Sequence, residues 1–356
     1  MDKESKSFLQ SFLAQCGPSG FEQKSQSVWV KRTEPFVQRV DRDVHGNAIA
    51  IINPEAEFKV MLAGHCDEIG FAVSHISKEG CIHIIPIGGI DPGVLPGSQV
   101  KVMTRKGLID GVIGKKPIHL MDEDERKKVL QIKDMWVDIG AKDRDDAMTC
   151  VAVGDAVAFA PNFLELKNHC FSSKACDDKV GAFVVSEVMK ILHNQKGLFP
   201  KVGVYSVSTV QEEVGLRGAS TSAFSIDPDV GIAVDVGWAS DTPGIDRRVV
   251  GEVFLGKGPI LHAGPPINPV LGELLVKTAE AKKIPYQFTS TGRPGGTDTG
   301  AMQVTRKGVA TALVGIPNRY MHTMVETCSY TDLKNCANLI AETILAMKPG
   351  MSFIPN

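Results

Sequence analysis

Apolar positions recur along this chain with two different spacings, and the changes between them divide it into three parts. In the first part, residues 3–15 carry apolar side chains three and four positions apart, which predicts a helix with one buried face. A second helix is predicted around Trp29. Residues 48–52 are a short apolar run, and residues 58–62 are apolar apart from Lys59. Both indicate successive strands of a central sheet.

The middle part, from Phe71 to about Leu166, has shorter apolar stretches that alternate with polar residues and are interrupted by Gly and Pro. Many short strands at such spacing are typical of a small barrel or sandwich. A charged run at 119–135 is predicted to form a surface loop and a short helix. We therefore predict an all-β, barrel-like insertion at residues 71–166.

The third part returns to long elements. A helix with an apolar stripe follows Asp177, and strands then alternate with helices as far as a last helix at 330–347. Thr331 and Asp332 are the predicted N-cap of that last helix. The predicted fold class is therefore α/β, with a mixed central sheet, helices on both of its faces, and the all-β insertion interrupting it.

Composition describes an ordinary globular protein and excludes several classes of partner. The chain has 356 residues, of which 43% are hydrophobic and 22% charged, and its net charge is -2. No basic excess points to nucleic acid or to a membrane surface, and no apolar run is long enough to span a bilayer. The eight cysteines are scattered without CxxC spacing, and the polar start does not resemble a signal peptide. We therefore expect reduced thiols and a cytoplasmic location.

The stretch 202–218 carries the most informative chemistry. A β-branched, apolar segment runs directly into the adjacent carboxylates of Glu212 and Glu213 and ends at Gly215. Neighbouring carboxylates repel and so raise each other's pKa, unless a positive group lies close to both. In proteins this positive group is commonly a metal ion. A lone Glu-Glu pair is more often a solvated turn, so its significance depends on the residues that accompany it.

Other short polar motifs occur where predicted strands or helices begin or end. Open α/β sheets bind ligands beyond the carboxyl ends of their strands, so these side chains are expected to meet Glu212 and Glu213 in one crevice. Individually each motif is weak, but together they form a nitrogen and oxygen ligand set that suits zinc, cobalt or manganese. The residues concerned are His65, Asp67, Asp177, Asp178, Asp235 and His322.

These motifs, in this order, resemble those of the TET (tetrahedral) aminopeptidases, the glutamyl aminopeptidase family of co-catalytic di-metal metallopeptidases, some of whose members are labelled endoglucanases. The matching segments are GPSGFE, GHCDEIGF, WVDIGAKDRDDA, ACDDK, QEEVGLRGA, VDVG, GGTDTGAMQ and RYMHTMVE. They cover nearly the whole chain. Lys179 stands where the family usually has Arg, and Cys66 where it usually has Met or Thr; neither position is a ligand in the family pattern.

The resemblance implies a site for two divalent metal ions, zinc or cobalt in the first place and manganese as a further option. Asp177 would bridge the two ions. One of them would also be bound by His65 and Asp235, and the other by Glu213 and His322. The implied fold is that of the zinc exopeptidases, with a catalytic metallopeptidase domain formed by 1–70 plus 167–356.

The remaining functional positions are also carried over from the family. Glu212 would be the general base that holds the water between the metals, and Asp67 would accept a hydrogen bond from the second nitrogen of His65. Asp178 would stabilise a turn after the bridging residue, in which the peptide is often cis in the family. If the register were off by one, Asp178 would itself be the bridge.

Arg217, Thr297 and Asp298, together with Gly296, are candidates for the substrate pocket, although a structural role in a loop is equally compatible with them. The implied activity is removal of N-terminal residues from short peptides that have a free amino terminus. The insertion at 71–166 would make dimer contacts, and such dimers would build a twelve-subunit shell.

Two other functions stay open at this point. A deacylase or carboxypeptidase acting on N-acyl substrates would use the same metals, and a non-catalytic scaffold would keep the fold. The scaffold is disfavoured because no ligand position is missing. A cellulase is disfavoured because it uses a pair of carboxylates without metals, whereas the candidate site here includes histidines. The preferred side chain at the amino terminus of the substrate is not indicated by the sequence.

Overall fold

The computed structural model describes residues 1–195, 200–292 and 296–355. The helices are α1 (Lys3–Leu13), α2 (Gln23–Thr33), α3 (Glu123–Lys127), α4 (Arg144–Met148), α5 (Cys176–Asn194), α6 (Arg217–Ile226), α7 (Arg247–Val250), α8 (Pro269–Lys282), α9 (Asp298–Gln303) and α10 (Tyr330–Ala346). The strands, in chain order, are β1 (Arg39–Arg42), β2 (Ala48–Ile52), β3 (Lys59–His65), β4 (Gly70–Ile76), β5 (Ile82–Ile87), β6 (Gln99–Thr104), β7 (Gly107–Ile113), β8 (Trp136–Asp138), β9 (Ala156–Phe159), β10 (Leu164–Glu165), β11 (Cys170–Ser173), β12 (Gly203–Thr209), β13 (Val230–Trp238), β14 (Ile260–Ala263), β15 (Gln287–Ser290), β16 (Ala310–Asn318) and β17 (Glu326–Ser329).

A large mixed sheet forms the centre of the molecule, with the strand order β1-β2-β12-β3-β13-β16-β14-β15. Its four middle strands, β12, β3, β13 and β16, are parallel to one another, whereas β2 and β14 run antiparallel to their inner neighbours. The carboxyl ends of the four parallel strands therefore meet at one edge. This mixed sheet confirms the predicted fold class.

Alternate residues of the middle strands enter two separate cores, as the pleat of a sheet requires. Val60 and Leu62 of β3 pack on one face, with α1, α2, α5, α8 and α10. Met61 and Ala63 pack on the other, with α6 and α9. A parallel strand covered on both faces needs apolar residues at its buried positions, which explains why β3 is apolar without interruption from Val60 to Ala63.

The insertion forms a closed barrel with the strand order β4-β5-β8-β7-β6-β9 and a core of its own. The barrel strands span Gly70 to Phe159. Strand β10 follows within the predicted insertion but pairs with β11, which in turn pairs with β17 in a small separate sheet. The charged run at 119–135 contains α3 and two short 3-10 turns, in line with the predicted surface segment.

Two local predictions need correction. The N-cap of α10 is Ser329, whose hydroxyl accepts a hydrogen bond from the amide of Thr331, so Thr331 and Asp332 are not the cap. The carboxylate of Asp332 instead accepts hydrogen bonds from the amides of Gly256 and Gly258. The buried carboxylate of Asp332 thus holds the loop of Gly256 and Gly258 against the start of α10. The residues next to Asp332 in the sequence do not reveal this long-range contact.

Candidate metal centre and active site

Six histidine and carboxylate side chains meet at the edge where the parallel strands end. His65 is the last residue of β3, and Glu212 and Glu213 follow β12 in a tight turn. Asp235 lies inside β13, three residues before its end, and not at the end as predicted. Strand β3 pairs with β13 only as far as Ala233, so the side of Asp235 that faces β3 is open.

The first group of possible ligands consists of His65, Asp177 and Asp235, whose ligand atoms all lie within 4.8 Å of one another. His65 Nε2 is 3.2 Å from Asp177 Oδ1 and 3.7 Å from Glu212 Oε2. All of these residues are buried. One imidazole nitrogen and two carboxylates around one point are a set that divalent transition metals bind.

The second group consists of Asp177, Glu213 and His322, again with ligand atoms within 4.8 Å of one another. His322 Nε2 lies 3.2 Å from Asp177 Oδ2 and 3.5 Å from Glu213 Oε1. Asp177 thus offers one oxygen to each group. This is the geometry required of a carboxylate that is shared between two metal ions.

Hydrogen bonds leave Nε2 of both imidazoles free to bind a metal. Nδ1 of His65 lies 3.2 Å from the carbonyl oxygen of Asp67 and 3.4 Å from its carboxylate. Nδ1 of His322 lies 2.6 Å from the carbonyl oxygen of Gly89. Because these partners only accept hydrogen bonds, a metal ion at Nε2 would leave each ring with its proton on Nδ1.

Further carboxylates hold the backbone around the ligands. Asp67 accepts hydrogen bonds from the amides of Glu212 and Glu213, at 3.1 and 3.2 Å, and from the hydroxyl of Ser19 at 2.7 Å. Glu326 accepts from the amides of Asp177 and His322, at 2.9 and 2.8 Å. Each of these buried carboxylates therefore fixes the backbone of two candidate site residues.

Asp178 has a different environment from Asp177. It follows a cis peptide bond, and its carboxylate accepts hydrogen bonds from the amides of His65 at 3.3 Å and Gly181 at 3.0 Å. It belongs to neither ligand group in the described residues. The geometry therefore favours Asp177 as the shared residue and gives Asp178 the turn-stabilising position.

The centre holds more carboxylates than its two histidines, His65 and His322, can neutralise. Burial, and then the charges of Asp235 and Asp298, raise the pKa of Glu212 to about 10. Burial and the neighbouring Asp177 raise the pKa of Glu213 to about 7 and that of Asp235 well above its usual value. Oε1 of Glu212 is buried without a hydrogen-bond partner among the described residues. A cluster of this kind fits divalent cations, because they neutralise the charge and occupy the free oxygens.

The centre forms one wall of a cavity of about 780 Å³. Thr297 and Gly296 line this cavity, as predicted for the pocket. Arg217 and Asp298 are not among the described lining residues: Arg217 is exposed and donates to Gln211, and Asp298 is buried and accepts from Thr209. Gly295, the first residue of the predicted GGTDTGAMQ motif, lies outside the described residues.

Three supporting groups were missed by sequence reasoning. Glu326 ends the RYMHTMVE motif, four residues after His322, and that short spacing was the available signal. Gly89 belongs to the barrel and comes close to His322 only through folding. Glu68, next to Asp67, pairs with two buried lysines that are far from it in sequence.

The family model described as M42 glutamyl aminopeptidase matches residues 46–339 of the chain. This chain belongs to that family. The M42 enzymes are metallopeptidases, and the chain is accordingly an aminopeptidase, a hydrolase of peptide bonds. The predicted resemblance is thus confirmed, and the structure contains histidine and carboxylate groups that could hold metal ions.

Individual M42 relatives match over nearly their full length. The lysyl aminopeptidase of Pyrococcus furiosus is 37% identical over 351 residues, which cover 98% of each chain. The TET aminopeptidase of Thaumarchaeota archaeon SCGC AB-539-E09 superposes with a TM-score of 0.92, at 36% identity and 97% coverage of each chain. The TET1 peptidase of Pyrococcus horikoshii, described as able to assemble into a tetrahedron or a large octahedral shell, gives a TM-score of 0.87 at 31% identity, covering 96% of this chain and all of its own.

No helix within the described ranges combines the length and the apolar character needed to cross a membrane. All eight cysteines are free thiols, in agreement with their scattered positions in the sequence.

Proposed function

We propose that this chain is a two-metal aminopeptidase that removes N-terminal residues from short peptides, with Glu212 as general base. The observation that carries the proposal is the position of Asp177, which presents its two oxygens to two separate groups of ligands. His65 and Asp235 would complete one metal site, and Glu213 and His322 the other. Zinc and cobalt suit these ligands best, and manganese is also compatible with them.

Two divalent ions bound there would polarise the scissile carbonyl and lower the pKa of a water molecule between them. Glu212 borders the cavity, and its Oε1 has no hydrogen-bond partner in the described structure. It is therefore free to accept a proton from that water and to donate it to the leaving amine. Asp67 holds the amide of Glu212 and so fixes the direction of this carboxylate.

The charge of the centre favours a free amino terminus on the substrate. Four carboxylates, from Asp177, Glu212, Glu213 and Asp235, balance the charge of two divalent ions, so a cationic ammonium group is not repelled. An N-acetyl group removes that charge and adds bulk. It would displace the peptide bond from the reacting groups, and a displacement of about 1 Å costs on the order of a hundredfold in rate.

Substitution of the proposed base tests the mechanism. Glu212→Gln should keep two metal ions per chain, measured by plasma emission spectrometry, while turnover of an amino-acid anilide falls by several orders of magnitude. Glu213→Ala, a substitution at a proposed ligand, should instead lower the metal content. A Glu212→Gln variant that lost a metal ion but kept its activity would contradict the assigned role.

The deacylase alternative is tested with one peptide and its N-acetylated twin. Cleavage of the free peptide alone supports the aminopeptidase proposal. A comparable rate on the acetylated peptide would favour the deacylase.

We also propose that the barrel makes the contacts of a dimer and that dimers build a twelve-subunit shell. The support is the assembly described for the Pyrococcus horikoshii relative, together with apolar side chains that the barrel and its long loop expose. These exposed residues include Leu108, Val112, Ile118, Leu120 and Val129.

A further inference from the structure

The cavity has a second wall, formed by residues outside the metal centre, whose chemistry differs from that of the centre. The segment 249–253 and strands β14 and β15 provide most of it. Apolar side chains there include Val250, Val253 and Ile260, and hydroxyl groups are contributed by Thr289 and its neighbours. Apart from the metal centre itself, no described lining residue is an aspartate, glutamate, lysine or arginine.

One ionisable group does belong to this wall, the imidazole of His262. Nδ1 of His262 is 3.0 Å from the hydroxyl of Thr289, and Nε2 is buried without a hydrogen-bond partner in the described structure. Burial lowers the pKa of His262 to about 4, so the ring is neutral at pH 7. The wall therefore has no described charge that could pair with a charged side chain of the substrate.

Ile260 and His262 pack closely on the backbone of the central sheet. A Cβ atom added to Gly315 would lie 2.9 Å from His262 Nε2 and 3.0 Å from Ile260 Cβ. One added to Gly237, on the adjacent strand, would lie 2.5 Å from Ile260 Cδ1. The two glycines therefore leave the space that these two side chains occupy beside the cavity.

A peptide whose first peptide bond lies at the metal centre projects its N-terminal side chain into the rest of the cavity. An acidic or basic side chain would lose its hydration there without gaining an opposite charge from the described lining residues of this wall, which is unfavourable. An aliphatic side chain would gain by leaving water.

We propose that this chain preferentially removes uncharged, apolar N-terminal residues such as Leu and Met. This inference rests on the proposed aminopeptidase function, and it departs from the acidic and basic residues named in the descriptions of its family and of its Pyrococcus furiosus relative.

The first experiment is a substrate profile with the metal-loaded enzyme on the p-nitroanilides of Leu, Met, Glu and Lys. The Leu and Met substrates should exceed the Glu and Lys substrates at least tenfold in kcat/KM, a ratio within the range that pocket contacts produce. A profile led by Glu or Lys would overturn this inference alone. Failure to cleave any of the four would overturn the aminopeptidase proposal and this inference with it.

The second experiment places a charge in the wall. Val250 is half-buried and lines the cavity, and its neighbours Arg247 and Arg248 already bind Ser240 and Asp246. Val250→Asp should therefore raise the ratio of kcat/KM for Lys over Leu at least tenfold, because the new carboxylate faces the substrate.

The matched control is Val153→Asp, which introduces the same charge at an exposed position outside the cavity lining. It should leave the ratio unchanged. An unchanged ratio in Val250→Asp, with both metals still bound, would show that this wall does not contact the N-terminal side chain and would overturn the inference.

Discussion

The substitution Glu68→Gln tests how much one buried ion-pair network stabilises the molecule. The Glu68 carboxylate is 2% exposed and lies 2.5 Å from Nζ of Lys174 and 3.1 Å from Nζ of Lys179. Both ammonium groups are fully buried, and both also donate to the carbonyl oxygen of Gln15. One carboxylate is therefore the only charged partner, among the described residues, of two buried cations.

The expected loss is large because the substitution leaves charges behind. Removal of one partner of a buried ion pair costs about 3–5 kcal/mol, since the remaining charge is neither solvated nor paired. The introduced amide would keep an oxygen for one ammonium group but would present a donor to the amide of Gly17, which now donates to Glu68 at 2.7 Å. We therefore expect a loss of about 3–5 kcal/mol in the free energy of unfolding.

Denaturant unfolding measures this loss, at fixed protein and metal concentrations because ligand binding and assembly raise apparent stability. The matched control is Glu79→Gln, an exposed carboxylate 3.7 Å from Lys78, which should leave the midpoint unchanged. A Glu68→Gln variant whose midpoint equalled that of the wild type would refute the reasoning. It would show that solvent reaches the two lysines.

The pH dependence of the difference in unfolding free energy between wild type and Glu68→Gln provides a second check. Burial alone would raise the pKa of Glu68, but the ammonium groups of Lys174 and Lys179 outweigh burial and lower it. A lowered carboxyl pKa stabilises the fold above the unfolded value of about 4.3, and this contribution is lost as pH falls through the folded value. The gap between wild type and Glu68→Gln should therefore narrow below about pH 4.3.

Two further predictions concern the metal centre and assembly. Glu326→Gln should weaken zinc binding by about 10- to 100-fold in a chelator competition. The amides of Asp177 and His322 donate to different oxygens of Glu326, and the substitution turns one of these acceptors into a donor. An unchanged affinity would contradict this supporting role. Light scattering at micromolar concentration should show a particle of many subunits, and a monomer that was fully loaded with metal would contradict the proposed shell.

Sequence reasoning was most successful where burial and chemistry constrain each position. Strand β3 is covered on both faces, so its apolar run predicted a central strand, and His65 marked its end. The pair Glu212 and Glu213 was visible because two charges directly follow a buried strand. Most of the proposed ligands lie at or near the ends of parallel strands, and fold class therefore indicated that they would meet; Asp177 instead lies in the first turn of α5.

The remaining features depend on contacts between distant segments. Asp235 was predicted at the end of its strand, but β13 continues to Trp238 because β16 pairs with it along its whole length. Gly89 comes from the barrel and acquires its role only because its carbonyl oxygen meets the ring of His322. Arg217 follows the Glu-Glu motif, but its helix turns the side chain toward Gln211. No pattern in neighbouring residues reports such contacts.

The two walls of the cavity come from different stretches of the chain, and this arrangement separates chemistry from selectivity. Most of the proposed ligands come from the interval between His65 and Asp235 in the sequence, and His322 follows near the end of the chain. The second wall of the cavity is built mostly from residues 249–291. Mutations in that one interval would change the lining of the cavity without altering a proposed ligand. Under the proposed division of roles, substrate preference would be free to drift during evolution while the hydrolytic residues were inherited intact. Exchanging this interval between relatives would then be a direct route to new selectivity.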